Sequence, residues 1–477
     1  MNAKPPLRTN RDWLTVVSDV SDTCATLWLG TLSNTSFNPG PGRFRFRAEG
    51  QPWQEIPVYP EWTPPVSKSE DRYYQTIQLD QLQPGTRYYG ELFLDHPVHT
   101  LQQCGQCEFK TLPERIGGAD DPFTLMVGSC YHQRGDDNQV ARTFQALWND
   151  PDLPNPDLTV LAGDQVYLDV GWGPLLAWGE PGIRRHILEC YERHWRSLHP
   201  VLSRGATWMM SDDHELWNDY PDLSWTNPQL LRFHFGQFKS RWEKTALEAI
   251  ERIQSGRDIR TRDIGSDLSI MALDARLGRS RDRLFRDSVL EQALDWIRNL
   301  TRPGVIVLTQ PLTEPPGGLN NRKMANYAEQ YQALCQAILD AEHDLVIASG
   351  DAHYGRVAQA RNRKGRQLIQ VIASPLSNVN GPASFVALKT APDHPIHMPA
   401  LGDDHPVRFE PVQIVPTERR RFLQRYWKDR TREHFQTLSF HRDNGLHLTV
   451  QGWPVRNPDR NTSPQSFNWT NTHWKLS

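Results

Sequence analysis

Over the first 115 residues apolar and polar positions alternate in short runs, as in Cys24 to Leu29, Phe44 to Arg47 and Tyr73 to Leu79. Period-two alternation lets a strand bury one face and wet the other, and Pro, Gly and Asn turns separate these runs. Residues 1–115 are therefore expected to form a small β-sandwich domain. Residues 112–122, with two prolines, two glycines and several charges, have the composition of a linker. From Phe123 onward short apolar runs alternate with stretches of three-to-four spacing, which predicts an α/β region with buried sheets over residues 120–477. Strands are expected at Phe123 to Val127, Leu158 to Leu161, Thr207 to Met210, Leu268 to Leu273, Gly304 to Leu308, Leu345 to Ala348 and Leu368 to Ala373. Helices are expected at Asn138 to Trp148, Leu231 to Ile253, Val289 to Leu300 and Tyr327 to Ala341. Beyond residue 380 the periodicity weakens into a C-terminal extension. There the basic, aromatic segment Glu418 to His434 reads as a solvated helix, and Phe435 to Phe440 with Leu446 to Val450 as a hairpin turning at Asp443-Asn444-Gly445.

The run Leu82-Gln83-Pro84-Gly85-Thr86-Arg87-Tyr88-Tyr89 resembles the turn and strand of fibronectin-like or immunoglobulin-like sandwiches, which fits the alternation around it. Composition narrows the function classes. A chain of 477 residues exceeds the size of one core, and 38% hydrophobic residues with 17 Trp supply ample material to bury. A formal net charge of −3 gives no broad attraction to nucleic acid or to acidic membranes, so phosphate recognition must be local. No apolar run reaches the roughly 18 residues of a membrane span, and mean hydropathy is −0.63. Met1 to Asn10 lack an apolar signal core, so cytoplasmic residence is the default expectation, with export by another route left open. Six cysteines are too few for a disulfide scaffold; Cys104 and Cys107 read as two thiols near a strand end rather than as half a zinc site or a redox pair.

The chemistry lies directly after the expected strands. In α/β folds the carboxyl ends of strands bring several loops to one crevice, so residues far apart in the chain converge there. Four such loops carry polar residues: Gly128-Ser129-Cys130-Tyr131, Gly163-Asp164-Gln165-Val166-Tyr167, Asp212-Asp213-His214-Glu215 and Gly350-Asp351-Ala352-His353. A thiolate binds soft or strongly charged cations, a carboxylate bridges two cations about 3.5 to 4 Å apart, and an imidazole beside a carboxylate transfers protons.

Together these motifs resemble the PhoD-like alkaline phosphatases, a branch of the metallophosphoesterase superfamily, over about residues 120 to 375. In this branch Cys130 stands for the first Asp-X-His pair, Tyr167 for the second aspartate of Gly-Asp-X-X-Asp, Asp213 for the usual asparagine and Asp351 for a histidine of the late motif. Leu273-Asp274-Ala275-Arg276 and Leu290 to Trp296 are further echoes. The resemblance implies an αββα sandwich with an N-terminal β-domain, hydrolysis of a phosphate ester, and a binuclear centre. It puts Cys130, Asp164, Tyr167 and His353 around one metal and Asp164, Asp213 and Asp351 around the other, bridged by Asp164. A thiol and a phenol that must both ionise at neutral pH favour a strongly charged ion such as Fe3+. The all-oxygen set suits a hard divalent ion, Ca2+ by the resemblance, with Mn2+, Mg2+ and Zn2+ as alternatives.

In this reading a water activated by the metals attacks phosphorus in line, Asp213 serves the reaction as a ligand, and His214 is the candidate general acid. Asp212 and Glu215 orient their neighbours, Asp169, Asn218 and Asp274 stand behind the ligands, and Arg134, Arg276 and Arg356 are candidate phosphate clamps. His186, His194, His199 and His234 read as structural or exposed. No nucleic-acid partner is implied. Two other readings stay open: an acyl hydrolase with Cys130 as nucleophile, and a metal-stabilised adhesion protein without activity.

Overall fold

The computed structural model describes residues 13–35, 39–95, 102–223, 227–316, 323–378, 390–402, 404–415, 433–456 and 464–477. Its first seven strands form two antiparallel sheets. One has the order Leu14–Val20, Ala25–Thr31, Tyr73–Leu79; the other runs Gln54–Val58, Gly42–Ala48, Arg87–Leu94, Gln102–Lys110. Alternate side chains from both, among them Leu27, Leu29, Phe44, Leu92 and Phe109, meet in one apolar layer. Cys104 and Cys107 form no disulfide and are buried in that layer. The sandwich is fastened to the rest of the chain by side chains: the Trp28 indole donates to the carbonyl of Arg252 at 3.0 Å, and the Trp208 indole to Asp19 at 2.9 Å.

Two larger sheets follow. The six-stranded sheet has the order Ala206–Met210, Leu158–Ala162, Phe123–Gly128, His434–Arg442, Leu446–Pro454, His473–Leu476, its first three strands parallel. The eight-stranded sheet runs Ile259–Ile264, Leu268–Leu273, Gly304–Leu308, Leu345–Ser349, Gln367–Ala373, Gly355–Arg361, Val407–Ile414, Ile396–Met398. Residues of one parity, such as Val127, Val160, Trp208, Ala272, Val307 and Ala348, fill the space between the sheets. Residues of the other parity face helices. Met126, Leu161 and Met209 pack under Gln139–Asn149, Gly179–Leu202 and Gly236–Arg252, while Met271, Ile306 and Ile347 pack under Asp287–Arg298 and Ala328–Leu339. The result is the helix–sheet–sheet–helix layering expected when continuous apolar strands are covered on both faces.

All seven strands expected after residue 122 are present, and so is the terminal hairpin. The single helix expected at Leu231 to Ile253 is two pieces, a 3-10 turn at Pro228–His234 and a helix at Gly236–Arg252, because Phe235 is extended and caps the second. The 24-residue helix Gly179–Leu202 was not among the expected helices; it opens on Gly179-Glu180-Pro181-Gly182, where glycine and proline lower helix propensity. Proline in a first helical turn forfeits no hydrogen bond, and Ile183, Ile187, Tyr191, Trp195, Leu198 and Leu202 then form a buried stripe. Strands Gly355–Arg361 and Val407–Ile414 carry charged and glutamine residues that hide them in the sequence; pairing with Gln367–Ala373 and with each other recruits them. Residues 418–432 of the expected basic helix lie outside the described residues. Among the described residues no helix is long and apolar enough to cross a membrane.

Candidate metal centre

The carboxyl ends of the two sets of parallel strands point into one crevice. From the six-stranded sheet come Cys130, Asp164 and the pair Asp212 and Asp213; from the eight-stranded sheet come Asp274, Gln310, Asp351 and His353. The loops crowd one another both within the six-stranded sheet, at Gly163 and Asp212, and across the two sheets, at Gly350 and Ala162. A Cβ on Gly163 would lie 2.6 Å from the Cβ of Asp212, and one on Gly350 would lie 2.3 Å from the carbonyl oxygen of Ala162, so only glycine permits these approaches. Cys130, Asp164, Asp351 and His353 all have positive φ, between 53° and 58°. Left-handed backbone at four non-glycine residues of one cluster is a strained arrangement of the kind that folds retain at functional sites.

Three groups of ligand atoms, each mutually within 4.8 Å, occur among the described residues: Cys130, Asp164 and His353; Asp164, Asp213 and His214; Asp164, Asp212 and Asp351. Asp164 belongs to all three. Its carboxylate is 3.5 Å from Cys130 Sγ and accepts from the backbone N–H of His214 at 3.2 Å. The Tyr167 hydroxyl is buried and has no hydrogen-bond partner among the described residues, and Asp212 Oδ2 is in the same condition. Burial raises the pKa of Cys130 and Tyr167 well above their ordinary values, and the neighbouring anions raise both further. Burial likewise pushes Asp164 up to about 7. A pocket that holds a thiol, a phenol and several carboxyls against their own ionisation, with orphaned oxygens, fits cations that would reverse these costs.

The surrounding residues fix the ligands. Glu215 accepts the backbone N–H groups of Asp212, Asp164 and Val166 at 2.9, 3.0 and 3.1 Å, which ties two ligand loops to one carboxylate. Asp274 accepts those of Ser211, Arg276 and Leu277 at 2.6, 2.8 and 2.8 Å. His214 Nδ1 is 2.7 Å from Asp169 Oδ1, and the imidazole stacks on Tyr167 with ring centres 4.3 Å apart. Burial opposes a charge on His214, but Asp169, Asp164 and Asp213 outweigh it and hold the imidazole well above its ordinary pKa.

The three arginines separate by exposure. Arg276 is buried, pairs with Asp212, lies 3.8 Å from Asp213 and donates to the carbonyl of Tyr220 at 2.7 Å. Arg356 is fully buried and donates to Gln370 and to the carbonyls of His394 and Phe409, each at 3.2 Å. These partners tie Arg356 to the eight-stranded sheet. Arg134 alone of the three is exposed, beside the loop at Gly171. Sequence reasoning missed the link from Arg279 Nη2 to Gln310 Oε1 at 2.7 Å and from Gln310 Nε2 to Asp351 Oδ2 at 2.9 Å. Gln310 follows a parallel strand as the other site residues do, and that signal was available. Ser374, also at a strand end, lies 3.3 Å from Cys130 Sγ.

A pH response follows from these surroundings. Without metal, Asp164 titrates at about 7 in the fold and near 3.8 when unfolded, so the folded state loses stability as pH rises through 7. The raised His214 acts in the same direction, while Asp213, held at about 2, is ionised throughout. The metal-stripped protein is therefore expected to melt lower at pH ~8 than at pH ~6, and the metal-loaded protein to lack that slope. Parallel melting curves for the two forms would contradict this.

The fold has solved counterparts. It matches the structure of PhoD with a TM-score of 0.60 at 14% identity, covering 98% of this chain and 94% of that one. It also matches purple acid phosphatase PPD1 from yellow lupin (Lupinus luteus) seeds, with a TM-score of 0.55 at 11% identity over 93% of this chain and 72% of that one. No family model matches the chain, and no curated protein matches it in sequence. The fold expected from the strand-end motifs is thus the fold observed.

Proposed function

We propose that this chain hydrolyses phosphate esters at a binuclear metal centre in the crevice between its two large sheets. The observation that carries the reading is the sharing of one buried carboxylate, Asp164, by three ligand groups drawn from four loops. Cys130, Asp164, Tyr167 and His353 would hold one ion, for which a thiolate and a phenolate favour Fe3+. Asp164 and Asp351 with the adjacent pair Asp212 and Asp213 would hold a hard divalent ion such as Ca2+, Mg2+ or Mn2+. When bound, the cations supply neutralisation of the phosphoryl oxygens and a lowered pKa for the attacking water. The likeness to PhoD and to a purple acid phosphatase supports this chemistry through the fold they share.

The chain's own residues handle the leaving group. His214, held by Asp169 and kept protonated by the surrounding carboxylates, donates a proton to the departing alkoxide. Arg134, exposed beside the loop at Gly171, would meet substrate oxygens from the solvent side. The loop beyond Asp169 exposes Trp172, Leu176 and Trp178, with Leu231 and Phe235 exposed on the segment packed against it. Such a rim favours esters whose alcohol portion is apolar or aromatic. Cys130 is fully buried and, without a cation beside it, its thiol is held neutral, which argues against an acyl-transfer nucleophile.

Elemental analysis combined with matched aryl phosphomonoesters and phosphodiesters tests the proposal; metal-replete protein inert on both would refute it. Substitution His214→Ala is expected to keep the metals while slowing turnover by ~10²- to 10⁴-fold, most for poor leaving groups. Asp169→Asn removes the carboxylate that raises the imidazole pKa, so the basic limb of the kcat/KM profile is expected to move to lower pH. A loss independent of leaving group, with an unmoved basic limb, would remove the acid role from His214.

A further inference from the structure

Three histidines gather on the outer face of the six-stranded sheet, away from the crevice. In strands His434–Arg442, Leu446–Pro454 and His473–Leu476 the residues Phe440, Leu448 and Trp474 point inward, so His441, His447 and His473 point out. Register places His441 opposite His447, and Thr449 opposite His473. His447 Nδ1 and His473 Nε2 are 3.1 Å apart, with ring centres 5.2 Å apart and ring planes 22° from parallel. The His441 ring lies 5.4 Å from that of His447 and 5.7 Å from that of His473.

The second nitrogen of each facing ring is already engaged. His447 Nε2 is 2.7 Å from the carbonyl oxygen of Asp443. A carbonyl only accepts, so this nitrogen carries the proton and Nδ1 presents a lone pair. His473 Nδ1 is 2.9 Å from Thr449 Oγ1 and its Nε2–H donates to His447 Nδ1; if a cation displaces the proton between the rings, the Thr449 hydroxyl can accept from Nδ1–H and Nε2 offers a second lone pair beside the first. Two imidazole nitrogens bound to one ion at about 2.0 to 2.1 Å stand roughly 3.3 Å apart in tetrahedral geometry, close to the separation found here. Outer hydrogen bonds of this kind are what orient histidine ligands.

We propose that His447 and His473, with His441 closing on them, form a surface site for a borderline transition-metal dication such as Zn2+, Ni2+ or Cu2+. The all-nitrogen donor set excludes Ca2+ and Mg2+ as natural occupants, in contrast to the oxygen-rich crevice. The site is independent of the catalytic centre. Phe440 pairs with Phe123 and Gln436 with Val127, so His441 lies beyond the end of strand Phe123–Gly128 opposite to Cys130, about 20 Å away. Lys475, opposite His447, is the neighbouring cation; its side chain lies over Gly445 in the hairpin turn. A bound ion would staple the terminal strand, directly after which Ser477 already bonds Asp344 beside the other sheet.

The test titrates full-length protein, its catalytic metals as isolated, with Zn2+ by calorimetry and with Cu2+ by electron paramagnetic resonance. Wild type is expected to take one ion more than His447→Ala or His473→Ala, with a nitrogen-coupled Cu2+ signal and a Zn2+-dependent rise in Tm. In either variant the affinity is expected to fall tenfold or more, with phosphoesterase activity unchanged. Equal uptake and equal Cu2+ spectra in wild type and both variants would overturn the site.

Discussion

Replacing Asp164 by Asn is expected to reduce turnover by on the order of 10³-fold and to release at least one of the two metals. The amide keeps the shape of the carboxylate and one oxygen to accept the His214 backbone N–H, so the loop should remain in place. What it removes is the negative charge common to all three ligand groups. An amide cannot bridge two cations through two anionic oxygens, so the change should affect both ions rather than one. Kinetics and metal content measured on the same preparation decide the matter. Wild-type turnover with both metals retained would end the bridging assignment, and with it the binuclear reading.

The second large effect is expected at Arg276. It is fully buried, pairs with Asp212, approaches Asp213 and donates to the carbonyl of Tyr220. Replacing it with Met leaves two buried carboxylates facing Asp164 and Asp351 without their fixed counter-charge. Breaking a buried pair on one side costs about 3 to 5 kcal/mol, far more than the pair itself contributes, because the remaining ion is stranded. The metal-free Arg276→Met protein should lose stability of that order in denaturant titrations. Metal-loaded protein should lose less, since bound cations replace part of the missing charge. A loss below about 1 kcal/mol in the metal-free protein would show that water or protonation already neutralises these carboxylates.

These effects also explain why the two sheets carry the site jointly. Asp274 on one sheet holds the backbone of Ser211 on the other, and Ser129 donates to the carbonyl of Ala373 across the same gap at 3.2 Å. The strained, left-handed residues sit in loops pinned from both sides, so the ligand atoms have little freedom to relax apart.

The sequence by itself determined the strands of the α/β region, since continuous apolar runs of five or six residues bury on both faces wherever they are placed. It also picked out the loops that meet in the crevice, because polar side chains directly after such strands have one shared edge to occupy. It did not show the strands Gly355–Arg361 and Val407–Ile414, whose mixed composition becomes extended only by pairing with neighbours on both sides. Nor could it sort arginines of identical type. Arg134 is exposed, Arg276 faces buried carboxylates and Arg356 faces backbone carbonyls, and each difference depends on what other segments bring alongside. The same holds for the link from Arg279 through Gln310 to Asp351 and for the histidines at 441, 447 and 473. Local pattern specifies a strand because burial is averaged along it; a contact between distant side chains depends on register and on the separation of the sheets, which only the assembled fold sets.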